Sequence, residues 1–97
     1  MKPLLVMIYA NGCGACDETK PHFRKFAEKY PAQFQYAMMD IDKAKVNFPV
    51  EYTPSFVLKL PKGMYKTDPV ALKKDITPTS LEGWVSGALR DYKARGN

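Results

Sequence analysis

The apolar residues of the chain follow two patterns, short continuous runs that predict strands and longer spaced rows that predict helices. Four segments have the composition of strands: residues 4–10, 34–40, 55–60 and 64–66. The first of them is apolar throughout and ends at Asn11-Gly12, which favours a central strand that is buried on both faces. The sequence Pro61-Lys62-Gly63 supplies turn chemistry between the third and fourth strands.

Two main helices are predicted where apolar residues recur every three or four positions. The first spans residues 13–30 and the second spans residues 79–94, where Thr79 and Glu82 have the spacing of a capping box. Because the first helix lies between two strands, the first 40 residues predict a right-handed βαβ unit with parallel strands.

Two further segments are less regular. A short helical segment is expected near residues 42–52, where it would cover part of the sheet. Residues 67–76 are interrupted by Pro69 and fit either an edge strand or a loop.

Composition and charge limit the class of protein. A chain of 97 residues, 45% hydrophobic and 26% charged, predicts one globular domain over residues 1–97. The net charge of +5 is spread along the chain, so we expect no nucleic-acid partner, although acidic proteins are compatible partners. No apolar run approaches the roughly 20 residues of a membrane helix, and the N-terminal run is too short for a signal peptide. We therefore expect a cytoplasmic protein without a membrane partner.

Cys13 and Cys16 are the only cysteines, and they are better explained by chemistry than by architecture. A disulfide across so short a loop restrains little of the unfolded chain. Cys13 falls near the N-cap of the first helix, where free N–H groups and the helix dipole favour a thiolate. Cys16 lies one turn later on the same face, so the two sulfurs can form a disulfide and exchange with another one.

Two other interpretations of the cysteine pair remain open, an inert pair and a metal site. A zinc site uses four ligands, and beyond the cysteines the chain offers only His22 as a nitrogen ligand. We therefore expect no metal.

A resemblance to the thioredoxin superfamily rests on several residues. These are Cys13-Gly14-Ala15-Cys16 at a strand-to-helix junction, Pro21 five residues later, and Thr53-Pro54 before the third strand. The resemblance covers essentially the whole chain, with a loose fit over residues 64–78. It implies a minimal α/β thioredoxin-like fold with a four-stranded mixed sheet. The strand order would be 2-1-3-4, with the third strand antiparallel and both main helices on one face.

The same resemblance implies a site. Cys13 and Cys16 would be catalytic, and Pro54 would be cis and lie beside them. The backbone of Thr53 would offer hydrogen bonds to an extended substrate peptide. The substrate groove would be lined by Asn11, Gly12, Gly14, Ala15, Thr53 and Pro54.

Two departures from the family concern proton transfer. Met7 stands where thioredoxins carry a buried aspartate, and Met38 replaces the lysine that pairs with it. Cys16 therefore needs another base, or water, to lose its proton. The chain also lacks the Gly-Gly and acidic residue with which glutaredoxins bind glutathione, so no glutathione site is inferred.

The sequence thus predicts a thiol-disulfide oxidoreductase, an electron carrier in redox homeostasis that reduces protein disulfides without a cofactor. Its electrons would come from a reductase or from glutathione. The dipeptide Gly14-Ala15 contains no histidine, and Asp17 and Glu18 oppose a nearby thiolate, which favours a reductant. The alternatives are a thioredoxin-fold binding module whose redox activity is secondary, and an oxidase or isomerase.

The second face of the predicted sheet has little to cover it. Either Phe48 and Tyr52 pack over this face, or an exposed apolar patch allows weak association of an otherwise monomeric protein.

Overall fold

A mixed sheet is the framework of the chain, of which the computed structural model describes residues 2–96. Its strands are β1 (Leu4–Tyr9), β2 (Gln35–Asp40), β3 (Ser55–Leu60) and β4 (Gly63–Thr67). Their order across the sheet is β2-β1-β3-β4, with β1 parallel to β2 and antiparallel to β3, and β4 antiparallel to β3. The predicted four-stranded order and the antiparallel third strand are confirmed.

The helices are α1 (Gly14–Lys29), α2 (Pro69–Leu72) and α3 (Pro78–Ala94). Within residues 2–96, none of them has the length and apolar composition that crossing a membrane requires.

The central strand β1 is buried on both faces, as its uninterrupted apolar sequence predicts. Leu5 and Met7 belong to the core beneath the main helices, whereas Val6 and Ile8 face the opposite side. β1 is also hydrogen-bonded to a neighbouring strand along both edges, and the chain leaves the sheet after Tyr9. There Gly12 has φ +76°, a left-handed conformation that glycine adopts readily.

The two main helices pack on the same face of the sheet, as expected from the resemblance. Phe23 and Phe26 of α1 share one buried cluster with Leu81 and Val85 of α3. Burying a side chain of this size stabilises a fold by about 1.5–3 kcal/mol. The main core therefore fixes where α1 lies, and with it the helix end that carries the cysteines.

The second face of the sheet is covered by an irregular segment between β2 and β3. Phe48 packs against the buried residues of this face, which confirms its expected position. Tyr52 does not, because 47% of its surface is exposed. Lys66 of β4 contacts the covering segment in two ways. Its Nζ lies 5.0 Å from the centre of the Phe48 ring, and it donates a hydrogen bond to the carbonyl oxygen of Pro49 at 2.9 Å.

The helical segment expected near residues 42–52 is wrong. The carbonyl oxygen of Asp40 accepts the N–H groups of Lys43 and Ala44, which makes a single turn. Beyond it, Val46, Phe48 and Val50 all face the second cluster. A spacing of two residues is that of an extended chain, in which alternate side chains share one face. Proline at position 49 also disfavours helical geometry at Phe48.

Residues 67–76 form neither an edge strand nor only a loop, because α2 lies within them. Asp68 is its N-cap, with Oδ1 accepting the N–H of Ala71 at 2.8 Å, and Pro69 occupies the first helical position. An Asp-Pro pair is a recognised helix-start signal, so the sequence contained this information.

The capping box of α3 is formed by Thr77 and Ser80 and not, as predicted, by Thr79 and Glu82. Thr77 is the N-cap: its Oγ1 accepts the N–H of Ser80 at 3.2 Å, and the Oγ of Ser80 accepts the N–H of Thr77 at 2.7 Å. Pro78 is the first helical residue, which places Thr79 inside the helix. Glu82 instead pairs with Lys29 of α1 at 2.8 Å.

A hydrogen bond joins β4 to α3 near the far end of the sheet. The hydroxyl of Tyr65 donates to Oδ2 of Asp91 at 2.6 Å. This hydrogen bond, together with the nearby Arg95, holds the pKa of Asp91 below its usual value. A carboxyl whose pKa is depressed by folding contributes stability above its unfolded pKa, and this contribution is lost as the pH falls through its folded pKa.

Replacing Tyr65 by Phe should therefore lower the Tm at neutral pH and have little effect in acid. The difference from the unsubstituted protein should narrow as the pH falls from about 5 to about 2, where the carboxyl is protonated in both states. Thermal unfolding followed by circular dichroism at several pH values measures this. Tyr52→Phe, at an exposed tyrosine, is the control, and a Tyr65→Phe deficit that stays constant down to the lowest pH would contradict the assignment.

Candidate active site

Cys13 caps the helix that contains Cys16. Its backbone is extended, with φ −93° and ψ 105°, and its Sγ accepts the N–H of Cys16 at 3.1 Å. Its carbonyl oxygen accepts the N–H of Asp17, which is the first hydrogen bond of α1. The sulfur thus takes the position that an oxygen of Ser, Thr, Asp or Asn usually takes at an N-cap. At this position the helix dipole and a donated N–H both favour negative charge on the sulfur.

The two cysteines form a disulfide, and they differ in exposure. Their Cα atoms are 5.2 Å apart. Cys16 is completely buried in the main core, whereas Cys13 is only half-buried. An incoming group can therefore reach the sulfur of Cys13 and not that of Cys16.

Thr53, which precedes Pro54, lies directly beside Cys13, although it is 40 residues away in sequence. The peptide bond between them is cis, as expected, and the Pro54 side chain is completely buried. The Oγ1 of Thr53 lies 3.5 Å from the Sγ of Cys13, and the carbonyl oxygen of Thr53 lies 3.6 Å from it. Once the disulfide is reduced, the hydroxyl can donate to a thiolate, whereas the carbonyl can only accept from a thiol.

Asn11 is anchored by a residue that sequence reasoning missed. Its Nδ2 donates to Oδ2 of Asp40 at 3.1 Å, and Oδ1 of Asp40 accepts the N–H of Asp42 at 2.9 Å. Asp40 is buried, and both of its carboxylate oxygens have a partner. The contact holds the loop before Cys13 to the end of β2. An acidic residue directly after the apolar residues Ala37, Met38 and Met39 was the available signal.

The remaining predicted groove residues surround Cys13. Gly12, Gly14 and Ala15 are exposed, and Thr53 is half-buried. The structure therefore brings all eight predicted site residues to one end of the sheet. The amide of Asn11, however, is engaged by Asp40 rather than free.

Cys16 belongs to the main hydrophobic core. Met7 is completely buried in the same cluster as Cys16, and Met38, its partner across the β1–β2 pair, is 40% exposed. His22 is on α1 and half-buried, and its Nδ1 is buried without a hydrogen-bond partner. Within residues 2–96, no group of three or more His, Cys, Asp and Glu side chains is arranged to hold a metal ion.

Comparison with known families decides what this arrangement is. The thioredoxin family model matches residues 1–78. The chain belongs to the thioredoxin family. With its disulfide-bonded Cys-x-x-Cys motif, this thioredoxin-family protein is a thiol-disulfide oxidoreductase in the general sense.

Solved structures with a similar fold include three thioredoxins. Deadhead, the germline-specific thioredoxin of Drosophila melanogaster, is 20% identical with a TM-score of 0.72, and the match covers 89% of this chain and 80% of that one. Thioredoxin-2 of a malaria parasite is 19% identical with a TM-score of 0.75, over 89% and 82%. Mitochondrial thioredoxin 3 of Saccharomyces cerevisiae is 28% identical with a TM-score of 0.59, over 74% of each chain. No curated protein sequence matches the chain significantly.

Replacing Thr53 by Val should lower the thiolate-to-thiol ratio of Cys13 at a given pH by roughly fivefold. The substitution keeps the shape of the side chain and removes a hydrogen bond to the charged sulfur worth about 1 kcal/mol. The rate at which iodoacetamide alkylates the reduced protein, followed across pH, measures the thiolate fraction. Thr53→Ser keeps the hydroxyl and serves as the matched control. Equal alkylation profiles for the Val and Ser variants would show that the hydroxyl does not stabilise the thiolate.

Proposed function

We propose that this protein reduces disulfides in protein substrates by cycling Cys13 and Cys16 between the dithiol and the disulfide. The proposal depends mainly on the asymmetry of the pair. Cys13 is accessible at a helix N-cap, where a thiolate is favoured, and Cys16 is buried one turn behind it. Reduction of a disulfide by a cysteine pair requires an accessible nucleophilic sulfur and a second thiol that resolves the mixed disulfide.

The reaction proceeds in two exchange steps. The Cys13 thiolate attacks one sulfur of the substrate disulfide, and the other substrate sulfur leaves as a thiolate. Cys16, after losing its proton, attacks the Sγ of Cys13, and the second substrate sulfur leaves. Two electrons have then passed to the substrate, and the protein holds the Cys13–Cys16 disulfide. An upstream reductase or glutathione returns it to the dithiol.

Deprotonation of Cys16 relies on water in this proposal. Met7 and Met38 carry no ionisable group, and Cys16 lies in a buried cluster of hydrophobic side chains that includes Met7. Once a substrate is attached to Cys13, the helix N-terminus is the main feature that still favours a second thiolate. We therefore expect resolution to be the slower of the two exchange steps.

Substrate recognition is assigned to the small exposed residues around Cys13. Gly12, Gly14 and Ala15 leave room for a polypeptide to approach the sulfur. The Thr53 carbonyl, 3.6 Å from that sulfur, marks the backbone to which an extended substrate would bind as an added strand. Pro54 holds this backbone in place by its complete burial.

A reducing role is favoured by the charge of Asp17 near Cys13. Asp17 lies in the first turn of α1, and its carboxylate opposes a thiolate nearby, although Lys20 at 3.6 Å offsets part of its charge. A less stabilised thiolate makes the disulfide form relatively more favourable, which is typical of a reductant. The use of cysteine only in this motif is consistent with a reducing compartment, and we propose the cytoplasm.

The redox potential of the cysteine pair tests the direction of electron flow. We expect a value at or below about −230 mV, as in thioredoxins and glutaredoxins. Equilibration in glutathione buffers, followed by alkylation and mass determination, measures it, with Cys16→Ser as a variant that cannot close the disulfide. A value between about −180 and −120 mV would instead indicate an oxidant or isomerase and would contradict the cytoplasmic assignment.

Trapping tests the roles of the two sulfurs. With insulin as the disulfide substrate, Cys16→Ser should accumulate a covalent adduct through Cys13, because no resolving thiol remains. Cys13→Ser should form none, because the accessible sulfur is gone. Mass spectrometry of the alkylated mixture separates these outcomes. If the unsubstituted protein reduced insulin no faster than dithiothreitol alone, a binding module with secondary redox activity would replace the oxidoreductase.

A further inference from the structure

A groove lies on the sheet face opposite the main helices, away from the cysteine pair. Its volume is about 290 Å³, close to the lower limit for small-molecule sites. Its floor is formed by side chains of β1 and β3, and one wall is the segment that covers this face. The lining residues are Leu4, Val6, Ile8, Met39, Lys45, Val46, Asn47, Phe48, Val57, Lys59 and Met64.

The lining of the groove combines apolar side chains with positive charge. All of it is apolar except for Asn47 and two lysines, and it contains no acidic residue. Lys45 and Lys59 are exposed, and neither forms an ion pair with any group of residues 2–96. An apolar body with a negative end therefore complements this surface, whereas a neutral or positive ligand leaves the lysines unused.

The covering wall of the groove is held in place. Lys66 contacts the ring of Phe48 and donates to the carbonyl oxygen of Pro49, so the wall is attached to β4. The floor is rigid as well, because Val6, Ile8 and Val57 are buried residues of paired strands. A ligand thus meets a largely formed site and does not have to order it, which lowers the entropic cost of binding.

We propose that this groove binds a small apolar carboxylate, of the type of a medium-chain fatty acid. The hydrocarbon chain lies over Leu4, Met39 and Met64, the more accessible apolar residues of the lining, and the carboxylate pairs with Lys45 and Lys59. The proposal goes beyond the disulfide chemistry and involves none of the residues around Cys13.

Two other occupants fit the groove less well. In a symmetric dimer the same patch meets itself, so the lysines of one copy would approach those of the other, in a chain whose net charge is already +5. A peptide strand finds no free backbone over the middle of the groove, because β1 and β3 are each paired along both edges. An alkyl chain needs only apolar side chains, which Leu4, Met39 and Met64 offer at the surface.

Affinity should follow the length of the hydrocarbon chain until the groove is full. Each methylene buried improves binding by about fourfold. The exposed lysines add less, a few-fold at most, because an ion pair in water is weak and is screened by salt. We therefore expect weak binding that depends on both chain length and charge.

Titration of the oxidised protein with hexanoate, octanoate and decanoate, each kept below its micelle concentration, tests the proposal. Methyl signals of Leu4, Met39 and Met64 in NMR spectra should shift, and Kd should fall by roughly fourfold per methylene. Decanol, which lacks the charge, should bind several-fold more weakly than decanoate. Because the cysteine pair is closed throughout, the outcome is independent of whether the protein is a reductase.

Variants at exposed lysines complete the test. The double variant Lys45→Gln, Lys59→Gln should lose the preference for decanoate over decanol, whereas Lys62→Gln, Lys93→Gln, which removes two exposed lysines elsewhere, should keep it. Absence of methyl shifts, or equal binding of decanol and decanoate, would overturn the proposal. Concentration-dependent methyl shifts without any ligand, with a dimer in sedimentation, would assign the groove to a second copy instead.

Discussion

One hydrogen bond, from the N–H of Cys16 to the sulfur of Cys13, joins the folding of α1 to the chemistry of the site. A helix needs an acceptor for its first N–H groups, and here the acceptor is a sulfur of the disulfide. Because α1 starts directly after Cys13, the direction of each of its side chains around the helix axis is also set. Cys16, Thr19, Phe23 and Phe26 follow at helical spacing as the buried stripe of α1, so packing of the aromatic side chains places the second cysteine in the core. The difference in exposure between the two sulfurs is thus a consequence of helix register.

The site lies at the end of β1, where the chain leaves the sheet. Paired on both edges and buried on both faces, this strand carries the sequence straight to Asn11 and Gly12. Two segments from elsewhere complete the site there, Asp40 at the end of the parallel neighbour and Thr53 just before the antiparallel one. The mixed sheet is therefore what brings a carboxylate and a hydroxyl to opposite sides of one short loop.

Local patterns were sufficient for β1, β3, the main helices and the cysteine motif, because each depends on residues close together in sequence. The strand order and the cis bond before Pro54 came from family resemblance rather than from periodicity. The segment around Val46 and Phe48 has the two-residue spacing of an extended chain rather than a helical one, and Asp68-Pro69 is a local helix-start signal. The bond between Asn11 and Asp40 could not be predicted from local sequence, since it exists only once β1 and β2 are paired in register.

The irregular segment between β2 and β3 begins at Asp40, which holds Asn11, and ends at Thr53, which touches Cys13. Both of its ends are therefore fixed at the site, independently of the path between them. Closure of such a loop becomes less favourable only slowly with length, by about 0.6 kcal/mol for each doubling. Insertions next to these anchors, away from Val46, Phe48 and Val50, which cover the sheet, could therefore bring new side chains to the neighbourhood of the cysteines while leaving their geometry unchanged.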